Sequence, residues 1–184
     1  MEFKGVLGAD ILEEVVSAEQ IQARLKELAA TLVKDYQDGD LLMVCVLNGA
    51  SVFYINLMME MDMKVEMNYI RVSSYGAGTK SSGTVRILYD LEKDITGKDV
   101  LIVEDIIDSG NTLYRLKNTL LSRGAKSVKC CSLLDKPSRR ETDISADYVG
   151  FVVPDKFLVG YGLDYDGKYR NLPFIGTLKP EIYR

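Results

Sequence analysis

The stretch VLIVEDIIDSGNTLYRLK, residues 100–117, predicts a buried strand that turns directly into a helix. Three acids, Glu104, Asp105 and Asp108, stand between the apolar start of this stretch and the small polar run 109–112. The first backbone N–H groups of a helix have no partners within it, so a turn of this kind can bind an anion. Carboxylates accept hydrogen bonds from hydroxyl groups and bind cations. Their place beside an anion site therefore indicates a ligand that also carries hydroxyl groups or is bound together with a cation.

Strand and helix patterns alternate along the rest of the chain. Ser17 and Gln20 fit a capping box, and apolar residues then recur at helical spacing through residues 17–37. The unbroken apolar run 41–47 is typical of a strand covered on both faces. Further strands are predicted at 64–72, 85–91, 100–103, 127–134 and 148–153, and further helices at 51–61 and 112–123. This alternation predicts an α/β fold in which a mostly parallel twisted sheet has helices on both faces.

Composition narrows the classes of function. The 184 residues fit a single domain, and hydrophobic residues at 47% supply a full core. A net charge of −4 argues against a nucleic-acid partner, which would require a basic face. No run approaches the roughly 18 apolar residues of a membrane span, and the N-terminal residues lack the apolar segment of a signal peptide. We therefore expect a cytoplasmic protein without a membrane partner.

The absence of histidine restricts the chemistry further. It excludes Ser-His-Asp and Cys-His mechanisms and the usual zinc sites. Any proton acceptor is then Asp, Glu, Lys, Tyr or Cys. The three cysteines, Cys45, Cys130 and Cys131, lie in apolar runs without metal-type spacing, so we interpret them as free buried thiols.

A second turn, Asn48-Gly49-Ala50, also sets a glycine between a predicted strand and a predicted helix. Because ligands of parallel sheets bind beyond the carboxyl ends of the strands, both turns are expected on one edge. Two such turns indicate a ligand with two separate phosphate groups, and the acids would hold a sugar diol and Mg²⁺ between them. An ordinary capped helix start at 108–112, a plain turn at 48–50 and acids solvated on a loop are the alternatives.

These segments resemble the type I phosphoribosyltransferases, and in particular their hypoxanthine–guanine branch. The decamer VEDIIDSGNT at 103–112 closely resembles the phosphoribosyl diphosphate motif of that family. The branch is indicated by LNGA at 47–50, SSYG at 73–76, LDKP at 134–137, PDKFLVGYGLDY at 154–165 and YRNL at 169–172. The likeness implies one domain over residues 1–184, with a five-stranded parallel core and a small hood built from the N- and C-terminal segments.

The resemblance also implies an activity and the residues that perform it. The chain would transfer the 5-phosphoribosyl group from phosphoribosyl diphosphate to hypoxanthine or guanine, giving IMP or GMP and diphosphate. Glu104 and Asp105 would hold the ribose hydroxyls and, with Asp164, bind Mg²⁺. Asp108 would act as the general base at purine N7, in agreement with the missing histidine. The 5′-phosphate would lie on the loop formed by Asp108, Ser109, Gly110, Asn111 and Thr112.

The same resemblance assigns the purine to a pocket of Lys136, Phe157, Leu158 and Asp164. Lys136 would donate to the 6-oxo oxygen and so select oxopurines over aminopurines. Phe157 would stack on the base. On the residues alone, a solvated basic loop around Lys136 and a core position for Phe157 are the alternatives.

The diphosphate would contact Asn48, Gly49 and Arg170, although a surface salt bridge is the alternative for Arg170. Many relatives have Lys where this chain has Asn48, and a neutral amide neutralises less of the diphosphate charge. The loop 73–83, which begins with Ser73, Ser74 and Tyr75, would close over the site and exclude water. A surface hairpin would account for its glycines equally well.

Two rival functions and one assembly state complete the expectations. A non-catalytic regulator of the same fold would sense phosphoribosyl diphosphate, but it need not keep Asp108, Lys136, Phe157 and Asp164 together. An enzyme of the same fold acting on orotate or xanthine is the second rival. The family resemblance implies a homo-oligomer, either a dimer or a tetramer.

Overall fold

The computed structural model describes residues 5–37, 39–74 and 85–183. Its helices are α1 (Val6–Ala9), α2 (Ala18–Tyr36), α3 (Ser51–Met59) and α4 (Asn111–Ser122). Its strands are β1 (Ile11–Val16), β2 (Leu41–Leu47), β3 (Glu66–Ser74), β4 (Val85–Tyr89), β5 (Asp99–Ile107), β6 (Ser127–Asp135), β7 (Tyr148–Val152), β8 (Leu158–Val159) and β9 (Ile175–Leu178). Two short 3-10 helices span Pro137–Arg139 and Pro180–Ile182.

The larger sheet has the strand order β4-β3-β2-β5-β6-β7. Five of these strands are parallel, and β4 pairs antiparallel with β3 at one edge. Along β2, Met43 and Cys45 pack with α2 and α3, whereas Leu42 and Val44 pack with α4. This alternation of side chains places helices on both faces of the sheet. The predicted α/β fold with a five-stranded parallel core is confirmed.

Helix α2 begins where the capping box predicts. Ser17 Oγ accepts a hydrogen bond from the backbone N–H of Gln20 at 3.2 Å, and Gln20 Oε1 accepts one from the N–H of Ser17 at 2.8 Å. Ile21, Leu25 and Leu28 then face the core from successive turns. Because these signals lie within the segment itself, the prediction of a helix over 17–37 agrees with the observed element to within a residue at each end.

A smaller antiparallel sheet has the strand order β1-β9-β8. It joins a strand near the N-terminus to two strands of the C-terminal part of the chain. A separate hydrophobic cluster packs with it, formed by Val159, Tyr169, Leu172, Phe174 and Leu178. This sheet is the small hood expected beside the parallel core.

Strand β5 is longer than the sequence predicts. The expected strand 100–103 is observed as Asp99–Ile107, so Glu104 and Asp105 lie inside the strand and not on the turn after it. Pairing with β6 continues past the acids, with Glu104 opposite Ser132 and Ile106 opposite Leu134. Backbone pairing does not depend on side-chain charge, which is why the acids do not end the strand.

Strand β3 also differs from its prediction. It is observed as Glu66–Ser74 in place of 64–72, so Ser73 and Ser74 belong to the strand and not to the loop. Tyr75 and the rest of the predicted loop lie outside the described residues. Within the described ranges, no helix is long and apolar enough to cross a membrane.

The cysteine prediction is confirmed. Cys45, Cys130 and Cys131 are free and buried, each on a strand of the parallel sheet. They act there as small apolar side chains of the core.

Candidate functional site

The acid pair lies near the carboxyl end of β5, in the middle of the sheet. Glu104 is only 7% exposed, so the alternative of an acid solvated on a loop is wrong for this residue. Burial, and to a smaller extent the neighbouring Asp105 carboxylate, raises the pKa of Glu104 well above its usual range. Burial also raises the pKa of Asp105 to about 6. Groups with pKa values shifted in this way cluster at functional sites.

The turn between β2 and α3 packs directly against Asp105. A Cβ atom on Gly49 would lie 1.6 Å from Asp105 Oδ2, so only glycine allows this approach. A Cβ atom on Gly162 would lie 2.0 Å from the carbonyl oxygen of Gly49, and Gly162 has φ +102°. The peptide bond before Asn48 is cis. The turn, the acid and the C-terminal loop therefore form one packed edge, which we call the acid rim (residues 48–50, 104–105 and 162–164).

The start of α4 lies beside the acid rim. Gly110 is the residue before the helix, with φ +83°, and no side chain caps the helix there. The N–H of Asn111 donates to Ser109 Oγ at 3.3 Å. A cavity of about 100 Å³ opens at this helix start, and Glu104, Asp108, Gly110 and Thr112 are among the residues that line it. The structure thus joins an acidic side chain and a helix N-terminus in one cavity, as the sequence predicts.

Asp108 occupies the turn between β5 and α4, and its side chain is 48% exposed. Arg139 Nε lies 2.9 Å from Asp108 Oδ1, so the two side chains form an ion pair. The N–H group does not point at the oxygen atom, and no hydrogen bond forms. Arg139 Nη1 is also 3.4 Å from an oxygen of Asp155. The Asp108 side chain is therefore partly accessible from solvent, while its buried Oδ1 atom has a cation beside it.

A second layer of contacts, absent from the sequence predictions, lies behind this turn. Arg140 donates to the carbonyl oxygen of Asp108 and forms an ion pair with Asp135. The backbone N–H of Glu141 donates to the carbonyl oxygen of Ser109 at 2.9 Å. The run PSRR at 137–140 marks this segment as basic, but nothing in the sequence shows which carbonyl or carboxylate it contacts.

Lys136 and Phe157 lie on loops that follow β6 and β7. Lys136 is 7% exposed, and its Nζ donates to the carbonyl oxygen of Lys156 at 2.6 Å, so it does not belong to a solvated loop. Phe157 is 52% exposed and is not a core residue. Its ring meets Tyr165 edge-on at 5.8 Å and lies 6.2 Å from the ring of Tyr183. Leu158 follows as a buried residue of β8.

Asp164 and Arg170 form an ion pair, with Arg170 Nη2 2.7 Å from Asp164 Oδ1. Arg170 Nη1 also donates to the carbonyl oxygen of Gly162 at 2.6 Å. Next to the dominant effect of burial, the charge of Arg170 lowers the pKa of Asp105 and the charge of Asp164 raises it. Both side chains therefore act electrostatically on Asp105, and the salt bridge of Arg170 joins it to Asp164 of the acid rim.

The acids of the rim supply only oxygen donors, the type that Mg²⁺ prefers. Burial is the main cause of the raised pKa values of Glu104 and Asp105, and neighbouring carboxylates add a smaller contribution. A divalent cation fits such a donor set. Within the described residues, no group of three or more His, Cys, Asp or Glu side chains is arranged as a metal site.

Taken together, the fold and the site place buried acids and a helix N-terminus at the carboxyl edge of a parallel sheet, an arrangement that suits a ligand carrying phosphate and hydroxyl groups. The family model of the phosphoribosyl transferase domain matches residues 12–166. The chain belongs to this phosphoribosyltransferase family.

Similar proteins narrow the branch of the family. The hypoxanthine-guanine phosphoribosyltransferase of Bacillus subtilis is 53% identical over 174 residues, which cover 95% of this chain and 97% of that protein. The bifunctional protein TilS/HprT of Listeria monocytogenes is 52% identical over 174 residues, and the chain spans 27% of its length. A crystal structure of a hypoxanthine phosphoribosyltransferase from Staphylococcus aureus has a TM-score of 0.96 and 48% identity, with 100% of both chains covered. The resemblance to the hypoxanthine–guanine branch is confirmed.

Proposed function

We propose that the chain is a purine salvage enzyme that transfers the 5-phosphoribosyl group from phosphoribosyl diphosphate to hypoxanthine or guanine. The products are IMP or GMP and diphosphate. One observation supports this function above all: three features lie together on one edge of the sheet. They are the buried Glu104, the close packing of Gly49 against Asp105, and the start of α4. The relatives of similar length bear the names of transferases with this purine specificity.

The phosphorylated sugar would lie along this edge. The hydroxyl groups of Ser109 and Thr112 and the N–H groups at the start of α4 would donate to the 5′-phosphate. Glu104 and Asp105 accept hydrogen bonds from the ribose hydroxyls. At the end of the sugar away from the 5′-phosphate, the diphosphate would contact the turn at Asn48 and Gly49 and the guanidinium of Arg170.

Magnesium would be held by Asp105 and Glu104, with Asp164 nearby. Mg²⁺ in proteins is commonly bound by one or two carboxylates together with substrate phosphates and water. When bound, it would neutralise the charge of the diphosphate as that group leaves. The side chains of the chain itself would orient the sugar and keep the leaving group at Arg170.

The purine would lie between the acid rim and the β7–β8 loop. Lys136, whose Nζ donates to the carbonyl oxygen of Lys156, would also donate to the 6-oxo oxygen, and the exposed ring of Phe157 would stack on the base. The backbone of Leu158 and Asp164 complete the pocket. Asp108 accepts the proton from purine N7 while the bond from the sugar carbon to diphosphate breaks and a bond to the purine forms. Carboxylates near the sugar carbon stabilise its cation-like transition state.

Several finer points belong to the same proposal. Ser73, Ser74 and Tyr75 would begin a lid that excludes water during turnover. The chain would act in the cytoplasm as a homo-oligomer, a dimer or a tetramer, with small-molecule substrates and without nucleic-acid or membrane partners. The rival regulator without catalysis finds no support, because the relatives are named as enzymes.

The test is an assay of diphosphate release with Mg²⁺ and each oxopurine in competition. Diphosphate release is expected only when a purine is present. A regulator would release no diphosphate, and an enzyme acting on orotate would not respond to purines, so the assay distinguishes the three functions. The variant Asp108→Asn should lower kcat by about 10²–10⁴-fold, the usual contribution of general base catalysis. Its affinity for phosphoribosyl diphosphate should stay near that of the wild type. If Asp108→Asn lost affinity for phosphoribosyl diphosphate but kept the wild-type kcat at saturation, Asp108 would not be the general base.

A further inference from the structure

We infer that Arg140 is a positioning residue that fixes the orientation of the phosphate loop (residues 108–112). The inference rests on the proposed function, because it concerns how that loop is held for the sugar phosphate. Arg140 Nη1 donates to the carbonyl oxygen of Asp108 at 2.5 Å, and Nη2 forms an ion pair with Asp135. One guanidinium thus joins the loop to the end of β6.

The anchor at Asp135 is rigid. Asp135 is the last residue of β6 and is 7% exposed, and the side chain of Arg140 is 15% exposed. A carboxylate buried to this degree requires a cation and a hydrogen-bond donor, so Arg140 is held in place by the sheet. The position of Arg140 then determines the position of the Asp108 carbonyl group.

Fixing this carbonyl group also fixes an N–H group. In a trans peptide the C=O and the following N–H point in opposite directions, and among the described residues only the bond before Asn48 is cis. Since the Asp108 carbonyl faces Arg140, the N–H of Ser109 faces the other way. The Ser109 carbonyl is held by the N–H of Glu141 at 2.9 Å, which turns the N–H of Gly110 away in the same manner. Two donors are thereby presented on the side opposite the basic segment.

Packing couples the loop to this segment. A Cβ atom on Gly110 would lie 2.6 Å from Thr142 Oγ1, 2.7 Å from Ile144 Cγ2 and 2.9 Å from Arg140 Cδ. Thr142 Oγ1 additionally donates to the Ser109 carbonyl oxygen at 3.3 Å. Gly110 thus packs closely against residues 140–144, so a shift of this segment is expected to displace the loop.

The chemistry requires arginine at this position. The planar guanidinium presents two nitrogen atoms that reach the carbonyl oxygen and the carboxylate at once. A lysine keeps the positive charge beside Asp135 but has a single nitrogen on a flexible stem. Arg140→Lys therefore preserves the ion pair and loosens the contact with Asp108.

The experiment compares Arg140→Lys with Arg123→Lys, which makes the same change in a remote pair. Arg123 follows the last turn of α4 and binds Asp90 through two hydrogen bonds of 2.6 and 2.8 Å. Arg140→Lys should lower kcat by about 10²-fold, the usual effect of a misplacement near 1 Å. It should also weaken IMP binding by about tenfold and leave the KM for the purine within about twofold. Arg123→Lys should match the wild type in all three values.

A second variant separates positioning from stability. Asp135→Asn weakens the same ion pair but leaves the contact between Arg140 and the Asp108 carbonyl. It should lower the melting temperature at least as much as Arg140→Lys while losing less kcat. If the two variants lose kcat in proportion to their melting temperatures, Arg140 is merely structural and the inference is wrong.

If Arg140→Lys does not fold, Thr142→Val tests the same loop. Valine has a shape similar to that of threonine but lacks the hydroxyl group that donates to the Ser109 carbonyl oxygen. It should weaken IMP binding and leave the KM for the purine unchanged, and unchanged IMP binding would contradict the inference. A wild-type chain without purine-dependent diphosphate release would instead overturn the proposed function. An active wild type with Arg140→Lys equal to Arg123→Lys overturns only the role of Arg140.

Discussion

Strand β5 carries carboxylates at both ends, and their surroundings shift the pKa values in opposite directions. At the amino end, Asp99 accepts hydrogen bonds from Ser127 Oγ at 2.6 Å and from Lys126 Nζ at 2.9 Å. The hydrogen bond from Ser127, followed by that from Lys126, lowers the pKa of Asp99. At the carboxyl end, burial raises the pKa of Glu104 and of Asp105. Within the described residues neither of these two acids has an ion-pair partner.

The difference separates a structural acid from a functional one on a single strand. A carboxylate with two donors contributes to stability, because ionisation is favoured in the folded state. A buried carboxylate without a cation opposes folding, and its retention indicates a ligand that supplies the missing charge. The contrast can be tested by variants at either end, beginning with the largest expected effect.

Gly49→Ala should have the largest effect on activity. The new methyl group would overlap Asp105 Oδ2 and displace either the turn or the acid. We expect kcat/KM for phosphoribosyl diphosphate to fall by about 10²-fold, since displacements near 1 Å have this effect on catalysis. Gly5→Ala is the control, because nothing lies within 4 Å of its added Cβ atom. Wild-type kinetics for Gly49→Ala would show that the close packing of the acid rim is dispensable.

The variants Asp105→Asn and Asp99→Asn should change stability in opposite directions near pH 7.5 without Mg²⁺. The pKa of Asp105 rises from 3.8 to about 6 in the folded state. Its ionisation therefore destabilises the fold above pH 6, and this penalty disappears as the pH falls from about 6 to about 4. Asp105→Asn should stabilise the chain by about 1–2 kcal/mol, less than the full shift implies, because Asp105, unlike the buried Glu104, keeps some contact with solvent that screens its charge.

Asp99 behaves in the opposite sense. Its lowered pKa contributes stability that is present above pH 3.8 and is lost only as the pH falls below that value. Asp99→Asn should therefore lose about 1 kcal/mol both near pH 7.5 and near pH 5, with kinetics unchanged. Thermal unfolding of both variants at the two pH values measures the contrast. If Asp105→Asn were less stable than the wild type near pH 7.5, Asp105 would be a structural acid like Asp99.

Lys98→Met should have the smallest effect. Lys98 Nζ lies 3.1 Å from Asp40 and 2.8 Å from Glu66 at the amino end of the sheet, where water screens the pairs. The midpoint of unfolding should fall by less than in Asp99→Asn, and the difference should vanish at high salt. The kinetic constants should equal those of the wild type. A fall in kcat/KM would mean that the amino end of the sheet also serves the site.

Much of the fold follows from local signals in the chain. The capping box at Ser17 begins α2, and the apolar run of β2 is observed with the predicted bounds. The end of β5 was not predictable, because the acids at 104 and 105 resemble a strand boundary while pairing with β6 continues through them. The segment 75–83 lies outside the described residues, and the role of a lid there stays a prediction.

The candidate site divides in the same way. Its acids, the helix start at Gly110 and the glycine turn at Gly49 are recognisable from residue type and from their places after apolar runs. The contact of Arg140 with the Asp108 carbonyl joins residues 32 positions apart. No periodicity or spacing in the chain encodes such a contact, since it depends on how the loop after β6 folds back.

The sequence by itself determined the order of strands and helices in the parallel core, though not the short hood strands β1, β8 and β9. It also determined the absence of histidine chemistry and the family of the protein, because these depend on local hydrogen bonding, residue type and motif. Only the tertiary structure decided that Glu104 is buried while Asp99 is neutralised, that Gly49 contacts Asp105, and that Arg140 supports the phosphate loop. Burial and charge compensation arise from segments that meet in space, and a linear chain does not specify those distances before it folds.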